Sequence, residues 1–305
     1  MRPQSSAPSF FISETLTWMQ KGSIPSRPEH SGRSSGPLVS VITPSFNQGP
    51  FIEATILSVL KQDYPNLELI VIDGGSKDGT QALLETYSPW LAYWVSEADR
   101  GQTHAINKGL ENSRGTILTY LNSDDIYSHA GVISSIVERF TANDALDLVY
   151  GDIFVMDESA TPIRSSGHSG FNRERLETDP SYFIPQQATF WTKAVMTRVG
   201  AFDEQFHYKM DREFYLRVAY PGKVEFVNEI MAGFRTHPSA KSNPWNVWKT
   251  AREFKSIQRK HELSSSFRAD AWTAMNLAYG VMPEKLRRVL RRYRHRNLLI
   301  WPGTK

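Results

Sequence analysis

The stretch Leu67–Thr80, which reads LELIVIDGGSKDGT, decides the fold class. Its first six residues are mostly apolar and predict a short buried strand, and a polar, glycine-rich loop begins at Asp73. A helical pattern follows from about Thr80 to Tyr87. A buried strand, a polar loop and a helix in this order are typical of a sheet that is covered by helices.

The same order recurs on both sides of this stretch. Upstream, an apolar strand at 38–43 is followed by a break at 47–50 and by a helical pattern. Downstream, we predict strands at 93–95 and 117–121 with a helix at 103–110 between them. This alternation predicts an α/β fold with a mainly parallel sheet, in which ligands bind beyond the carboxyl ends of the strands.

The second half of the chain has a less regular pattern. We predict strands at 148–155 and 223–227 in a mixed part of the sheet, and short helices at Lys193–Val199 and Asp211–Ala219. From Trp245 onward the pattern is helical to the end. The expected architecture is therefore a Rossmann-like, mainly parallel mixed sheet flanked by helices, with a C-terminal helical appendage.

Composition divides the chain into three regions. Residues 1–36 are rich in Ser, Pro and Gly and predict a mobile extension. Residues 37–243 hold the α/β pattern, and 244–305 form a basic helical region. The last 61 residues carry 14 Lys+Arg against 4 Asp+Glu, whereas the first 244 carry 21 against 28. An acidic body with a basic tail predicts two separate tasks.

The composition also excludes several kinds of site. The 305 residues include no cysteine, so disulfides and thiolate metal sites are excluded, and any metal must be a hard cation with oxygen or histidine ligands. We find no run of about 18 apolar residues that would predict a membrane-spanning helix. The N-terminus lacks the apolar core of a signal peptide, which predicts a cytoplasmic protein.

Two adjacent acids, Asp124 and Asp125, follow the strand at 117–121, and Asn122 stands two residues before Asp124. Oxygen ligands of this kind suit a hard cation, and such a cation can stabilise the charge of a departing diphosphate. Adjacent acids are also common in ordinary turns. The pair by itself therefore leaves both interpretations open.

Four further residues are candidates for ligand contacts. Asp73 can accept hydrogen bonds from a base or a ribose hydroxyl, although an ordinary strand-to-helix turn also explains its loop. Asp211 can take a proton from an attacking hydroxyl, or it can be a carboxylate favoured at a helix N-terminus. Arg235 and His237 follow a strand and can face phosphates or a metal, or remain structural.

Taken in order, these pieces resemble glycosyltransferase family 2, a large inverting family with the GT-A fold. The resemblance covers roughly residues 38–242 and is carried by the ordered combination of short motifs. The matching pieces are Val39–Asn47, Ile72–Thr80, Ser96–Gly101, Ala105–Gly109, Leu121–Asp125, and Gly200–Asp203 leading to Met210 and Asp211.

The resemblance implies a role for each matching residue. Asp211 would be the general base. Asp124 would be the main metal-binding residue, with Asp125 beside it and His237 approaching from a late loop. The residues implied to bind the nucleotide-sugar are Thr43, Pro44, Phe46, Asp73, Asp99, Arg100, Asn122, Ser123 and Arg235.

The reaction that the resemblance implies is a single displacement. The acceptor hydroxyl, deprotonated by the base, attacks the anomeric carbon, and a nucleoside diphosphate leaves with help from Mn²⁺ or Mg²⁺. The acceptor would be a glycan or a lipid-linked sugar in surface polysaccharide or glycolipid synthesis. Two positions depart from the family pattern: Gly74 stands where a second acid is common, and Asn122 replaces the first acid of the metal motif. The number of direct metal ligands is therefore left open.

The basic tail has two interpretations. Within 284–296, four apolar or aromatic residues share one helical face and arginines crowd the rest. Such a helix can lie on an anionic membrane surface, peripheral at its inner face, with about 1 kcal/mol from each basic residue. It can equally pack on the main domain. Nucleic-acid binding is disfavoured because no recognised motif accompanies the tail and the body is acidic.

Three other functions compete with sugar transfer. A sugar-nucleotide-forming nucleotidyltransferase resembles a pattern with a glycine-rich, basic loop after the first strand, where this chain has Pro44–Gln48. A dehydrogenase is disfavoured because no G-x-G-x-x-G follows that strand. A non-catalytic nucleotide-sugar binding module would tolerate loss of the acids, yet Asp124, Asp125 and Asp211 are all present.

Overall fold

The computed structural model describes residues 36–168, 170–241, 246–265 and 267–282. The predicted extension at 1–36, apart from its last residue, and the predicted basic helix at 284–296 lie outside the described residues. Among the helices that are described, none combines the length and the apolar character needed to cross a membrane.

Nine strands form one sheet in the described part of the chain, in the order β3-β2-β1-β4-β8-β6-β9-β5, with β7 paired to β6. Strands β3, β2, β1 and β4 pair in parallel, β8 lies antiparallel between β4 and β6, and β9 is parallel to β6. Six strands therefore run in one direction, which confirms the predicted mainly parallel mixed sheet. The strands are β1 (Val39–Ser45), β2 (Leu67–Asp73), β3 (Tyr93–Ser96), β4 (Ile117–Tyr120), β5 (Ile126–Tyr127), β6 (Leu148–Met156), β7 (Pro162–Ser165), β8 (Thr189–Thr192) and β9 (Val224–Arg235).

Helices cover both faces of the sheet. The sequence pattern predicts most of them, but it does not predict α4 or α5, nor the short strands β5, β7 and β8. The strand predicted at 223–227 continues to Arg235. The helices are α1 (Gly49–Leu60), α2 (Thr80–Tyr87), α3 (Gln102–Glu111), α4 (Val132–Ala142), α5 (Arg173–Thr178), α6 (Lys193–Val199), α7 (Met210–Val218), α8 (Val247–Lys260) and α9 (Phe267–Val281).

The sheet separates two hydrophobic layers, because successive side chains of a strand point to opposite faces. In β1, Val41 belongs to the layer formed with α1, α2 and α4, and its neighbour Ile42 belongs to the layer formed with α3, α7 and α8. Both side chains are fully buried. A strand buried on both faces explains why β1 is mostly apolar and β-branched, without a regular alternation of polar residues.

The carboxyl ends of the first three strands stand side by side. Ser45 at the end of β1 pairs with Asp73 at the end of β2, which pairs in turn with Ser96 at the end of β3. The polar loops that follow these strands therefore meet at one edge of the sheet, as the sequence pattern predicts.

Gly109 in α3 brings that helix close to β1. A methyl group at this position would lie 3.2 Å from Cγ1 of Ile42 and still closer to its Cγ2. Gly109→Ala would gain about 1 kcal/mol from helix propensity, but overpacking a β-branched core residue costs about 1–3 kcal/mol. We expect net destabilisation, measured as a lower denaturation midpoint with an unchanged slope.

A double-mutant cycle checks the cause of this effect. Ile42→Ala removes the atoms that the new methyl group meets, so Gly109→Ala should be less costly in that background than in the wild type. Equal costs in the two backgrounds would show that the contact with Ile42 is not responsible.

Helix α8 packs into the main domain, although it follows the predicted boundary at 243. Ile257 is buried in the same layer as α7, and the ring of Phe254 lies 4.7 Å from the guanidinium carbon of Arg212. The carboxylate of Glu253 accepts hydrogen bonds from three backbone N–H groups just before α7. The proposed division of the chain into three regions stays a prediction.

Candidate active site

Asp73 holds together the loop that follows β2. Its buried carboxylate accepts hydrogen bonds from the backbone N–H of Ser76 (2.9 Å) and the hydroxyls of Ser76 (2.5 Å) and Ser96 (2.6 Å). It also accepts one from the N–H of Gly75, whose positive φ of 81° suits glycine. These donors give Asp73 a structural role, and its contact with a nucleotide stays a prediction.

Gly74 leaves room for Phe46 and Asp99 beside the loop that follows β2. A Cβ atom at position 74 would lie 2.8 Å from Oδ2 of Asp99 and 3.1 Å from Cδ2 of Phe46. The other oxygen of Asp99 accepts a hydrogen bond from the N–H of Gly101 at 2.7 Å. A side chain at position 74 would therefore meet the carboxylate of Asp99 and the exposed ring of Phe46.

The other residues predicted on the nucleotide side differ in exposure. Thr43 and Pro44 are buried within β1, and the hydroxyl of Thr43 has no hydrogen-bond partner among the described residues. Arg100 is exposed, and its guanidinium donates two hydrogen bonds to Glu204, at 2.8 and 3.1 Å. Their contacts with a donor stay predictions.

Asp125 is fully buried, and its carboxylate is held by other parts of the protein. Its carboxylate accepts hydrogen bonds from the N–H of Arg235 (2.9 Å) and from the amides of Gln187 (3.1 Å) and Asn122 (3.3 Å). Burial, and secondarily the charge of Asp124, raises the pKa of Asp125 well above its usual range. The observed contacts are those of a residue that fixes the loop, and its role as a metal ligand stays a prediction.

Asn122 links this loop to the rest of the cleft. Its carbonyl oxygen accepts a hydrogen bond from Gln102 at 2.6 Å, and its amide donates to Gln186 at 3.0 Å as well as to Asp125. Ser123, next in the chain, is buried. Both residues thus lie inside the loop that presents Asp124, and donor binding by them stays a prediction.

Asp124 and His237 form the pair that best suits a cation. Oδ2 of Asp124 lies 3.0 Å from Nε2 of His237, and Nδ1 of that ring lies 2.8 Å from the hydroxyl of Ser239. Two ligand atoms that are each about 2.1 Å from one ion, at a right angle, lie about 3.0 Å apart. The separation of these two atoms is therefore that of two neighbouring positions on a hard cation, and Ser239 orients the ring.

The described residues supply only two such ligands at this point, because they contain no group of three or more acidic, histidine or cysteine side chains that could hold a metal ion. The rest of a coordination shell would have to come from a ligand and from water, as is usual for Mg²⁺ bound with substrate phosphates.

Arg235 supports the loop of Asp124 and Asp125 through hydrogen bonds to backbone carbonyl groups. Its Nε donates to the carbonyl oxygen of Asp124 at 2.8 Å, and its Nη1 donates to the carbonyl oxygen of Glu158 at 2.6 Å. The residue is 3% exposed, and its guanidinium carbon lies 5.0 Å from the centre of the Phe51 ring. These contacts are structural, and the predicted contact with a diphosphate stays a prediction.

Asp211 is the second residue of α7 and lies half-buried, with its Oδ1 accepting the N–H of Arg212 at 2.7 Å. Burial raises its pKa, against the opposing charges of Lys209, Arg212 and Lys241. A carboxylate with a raised pKa in a cleft is suited to proton transfer.

Tyr120 connects the two halves of the site. Burial raises the pKa of its hydroxyl well above the usual range, and Tyr215, Asp211 and Asp125 add to the rise through their charges. The hydroxyl of Thr103 donates to the sulfur of Met210 at 2.8 Å, and the neighbouring Gln102 donates to Asn122 at 2.6 Å. The start of α7, which bears Asp211, and the loop of Asp124 and Asp125 are therefore both held by the start of α3. The structure brings together acids that are 86 residues apart or more in the chain.

Sequence reasoning missed the amide residues that organise this cleft. Gln102 and Gln186 hold Asn122, Gln187 holds Asp125, and Gln186 also donates to the carbonyl oxygen of Tyr120 at 2.6 Å. The only available signal was two adjacent glutamines directly before the apolar run of β8. A pair of amides at a strand end is a weak signal without the fold.

Comparison with known proteins identifies the family of this chain. The family model described as "Glycosyl transferase family 2" matches residues 40–206. An uncharacterized glycosyltransferase of Mycobacterium tuberculosis is 35% identical over 187 residues, which cover 61% of this chain and 70% of that protein.

Solved structures show the same fold. The mannosyltransferase PcManGT of Pyrobaculum calidifontis, in complex with GDP-Man and Mn²⁺, gives a TM-score of 0.57 at 18% identity, covering 96% of this chain and 88% of that one. TarS of S. aureus in complex with UDP-GlcNAc gives 0.55 at 16% identity, covering 79% and 71%. The predicted GT-A-type fold is thereby confirmed, and the chain belongs to glycosyl transferase family 2, a family of glycosyltransferases.

Proposed function

We propose that this protein transfers a sugar from a nucleotide-diphosphate sugar to an acceptor hydroxyl with inversion at the anomeric carbon. The observation that supports the proposal is that the start of α3 contacts both parts of the site: Gln102 donates to Asn122 in the loop of the Asp124–His237 pair, and Thr103 donates to Met210, the neighbour of Asp211. This arrangement offers a cation site and a proton acceptor within one cleft. The complexes of PcManGT with GDP-Man and of TarS with UDP-GlcNAc support a donor of this class.

Asp124 and His237 would hold a divalent cation, Mn²⁺ or Mg²⁺, on the donor side. When bound there, the cation would stabilise the negative charge that develops on the departing diphosphate. The chain itself contributes the rigidity of the pair, because Arg235 fixes the backbone of Asp124 and Ser239 fixes the imidazole. Phe46 and Asp99 lie beside Gly74, at the end of β2, where a nucleoside or its sugar would bind.

Asp211 would act on the acceptor side. Its carboxylate accepts the proton of the acceptor hydroxyl while that oxygen forms a bond to the anomeric carbon. The bond from the anomeric carbon to the diphosphate oxygen breaks on the opposite face, so the configuration inverts. General-base help of this kind contributes roughly 10²–10⁴-fold in rate.

The acceptor is proposed to be a glycan or a lipid-linked sugar, in surface polysaccharide or glycolipid synthesis. Contact with an anionic membrane through the basic tail belongs to the same proposal and concerns residues outside the described part of the chain. No contact in the described cleft favours the nucleotidyltransferase or the non-catalytic module over sugar transfer.

Binding of the donor can be tested by thermal shift against a panel of nucleotide-sugars with and without Mn²⁺. We expect one or a few of them to raise the melting temperature only when the ion is present, since a ligand at 100 times its Kd adds about 2.7 kcal/mol. The anomeric configuration of the product, read by NMR, tests inversion. A folded protein that no nucleotide-sugar stabilises under either condition would refute the proposed donor class.

A further inference from the structure

A cavity separate from the proposed active site lies beside the start of α7, between the segment that precedes this helix and the side of α8. It has a volume of about 510 Å³, which is within the range of small-molecule sites. Its walls include Tyr208 from the segment before α7, and Trp248, Lys249 and Arg252 from α8. None of these residues belongs to the cation pair or to the donor wall described above.

The lining combines aromatic rings with cations. The ammonium of Lys249 lies 5.3 Å from the centre of the Tyr208 ring and 5.7 Å from that of Trp248, and it donates a hydrogen bond to the Tyr208 hydroxyl at 3.0 Å. Aromatic faces pack against the C–H faces of sugar rings, and ammonium and guanidinium groups bind phosphates.

Two of the three cations in the lining have no acidic partner among the described residues, and the third, Lys260, pairs with Asp203 and Glu213. Arg252 is exposed and has no ion-pair partner among the described residues, and Lys249 likewise contacts no carboxylate there. The one acid in the lining, Glu253, is engaged by the backbone N–H groups of residues 207–209, at 2.7–2.9 Å. An anionic ligand would therefore meet two available cations and no competing free carboxylate.

The cavity adjoins the proposed active site. Lys241 lies 5.5 Å from the centre of the Tyr208 ring, interacts electrostatically with Asp211, and donates a hydrogen bond to Gln102 at 2.8 Å. Gln102 in turn contacts Asn122 in the loop of the cation pair. A ligand seated against Tyr208 would thus lie beside the proposed base.

We propose that this cavity binds the acceptor and selects one that carries a phosphate or diphosphate next to a sugar ring, that is, a glycosyl phosphate. The ring packs on Tyr208 and Trp248, and the phosphate pairs with Lys249 and Arg252. The identification of this ligand as the acceptor rests on the proposed function, whereas binding at the cavity can be measured independently of it.

The probe is glucose 1-phosphate, titrated by calorimetry into the full chain without metal or nucleotide. Arg252→Ala should weaken binding on the order of tenfold, because a charge-assisted pair to phosphate is lost. Trp248→Ala should weaken it as well, and Trp248→Phe less. Arg259→Ala, which removes the same charge two turns along α8 and outside the cavity, should leave binding unchanged. Glucose and inorganic phosphate should each bind more weakly than the glycosyl phosphate.

The donor site is a second place where a glycosyl phosphate can bind, and repeating the titration with Mn²⁺ on Asp124→Asn distinguishes the two. If binding of the probe requires Mn²⁺ and is abolished by Asp124→Asn but not by Arg252→Ala, the ligand occupies the donor site and the cavity proposal fails. It also fails if wild-type protein binds no glucose 1-phosphate at millimolar concentration, or if Arg259→Ala and Arg252→Ala weaken binding equally. None of these outcomes affects the thermal-shift test of the donor class.

Discussion

Asp211→Asn is expected to lower the rate of sugar transfer by roughly 10²–10⁴-fold while nucleotide binding is retained. The substitution keeps the size of the side chain and the hydrogen bond from the N–H of Arg212. It removes the only feature that the proposed reaction requires of Asp211, a carboxylate that can accept a proton. The measurement is the initial rate at saturating acceptor, together with the thermal shift produced by the donor.

Protein stability separates this catalytic role from a structural one. Burial raises the pKa of Asp211 in the folded protein above its value of about 3.9 in an unfolded chain. The folded state therefore binds the proton of Asp211 more tightly than the unfolded chain does. Ionisation of Asp211 lowers the free energy of unfolding, and this decrease is complete only above the pKa of the folded protein. Asp211→Asn removes this cost at neutral pH, so its melting temperature should be equal to or higher than that of the wild type.

The same raised pKa predicts the shape of the pH–rate profile. The base works only when ionised, so the rate of the wild type should fall as the pH drops through the raised pKa of Asp211. This fall should occur at a higher pH than for an ordinary aspartate. Asp270→Asn, an equivalent change at an exposed ion pair on α9, serves as the control and should change neither rate nor profile. Turnover of Asp211→Asn near the wild-type rate would show that another group is the base.

The sequence predicted the strands that are buried on both faces and missed those that depend on partners. β1 and β2 are short runs of mostly apolar and β-branched residues, so their composition is sufficient. β5 has only two residues and β8 only four, and their extended form is fixed by pairing with β9 and with β4 and β6. Such strands have no distinctive local pattern, because the information that defines them lies in distant parts of the chain.

The site shows the same division at the level of single residues. The position of Asp124 at the end of β4 follows from the alternation of strands and loops. The inward orientation of Asp125 does not, because the N–H group that holds it belongs to Arg235, 110 residues away. The proximity of Gly74 to Asp99 was equally hidden, since the two residues belong to separate loops and no local pattern indicates that they meet.

Asp124→Asn is expected to lower kcat/KM on the order of 10²-fold and to raise the Mn²⁺ concentration needed for half-maximal activity. An amide retains the hydrogen-bonding shape of the carboxylate but lacks its charge, so folding should be preserved.

The substitution Asp125→Ala, at the neighbouring acid, should instead affect stability. This change leaves three donors without an acceptor and should destabilise the fold by about 1–3 kcal/mol. Asp144→Asn, on an exposed loop at the amino end of β6, is the matched control and should alter neither property.

His237 supplies the decisive comparison, because the 3.0 Å contact with Asp124 has two explanations. It is either a hydrogen bond that only orders the loop, or two ligand positions on one cation. If both side chains hold the same ion, each single substitution, Asp124→Asn or His237→Ala, should remove most of the Mn²⁺-dependent rate. The double variant should then be little slower than either single variant. If the two losses multiply, and a chelator slows Asp124→Asn as much as it slows the wild type, the ion is held elsewhere.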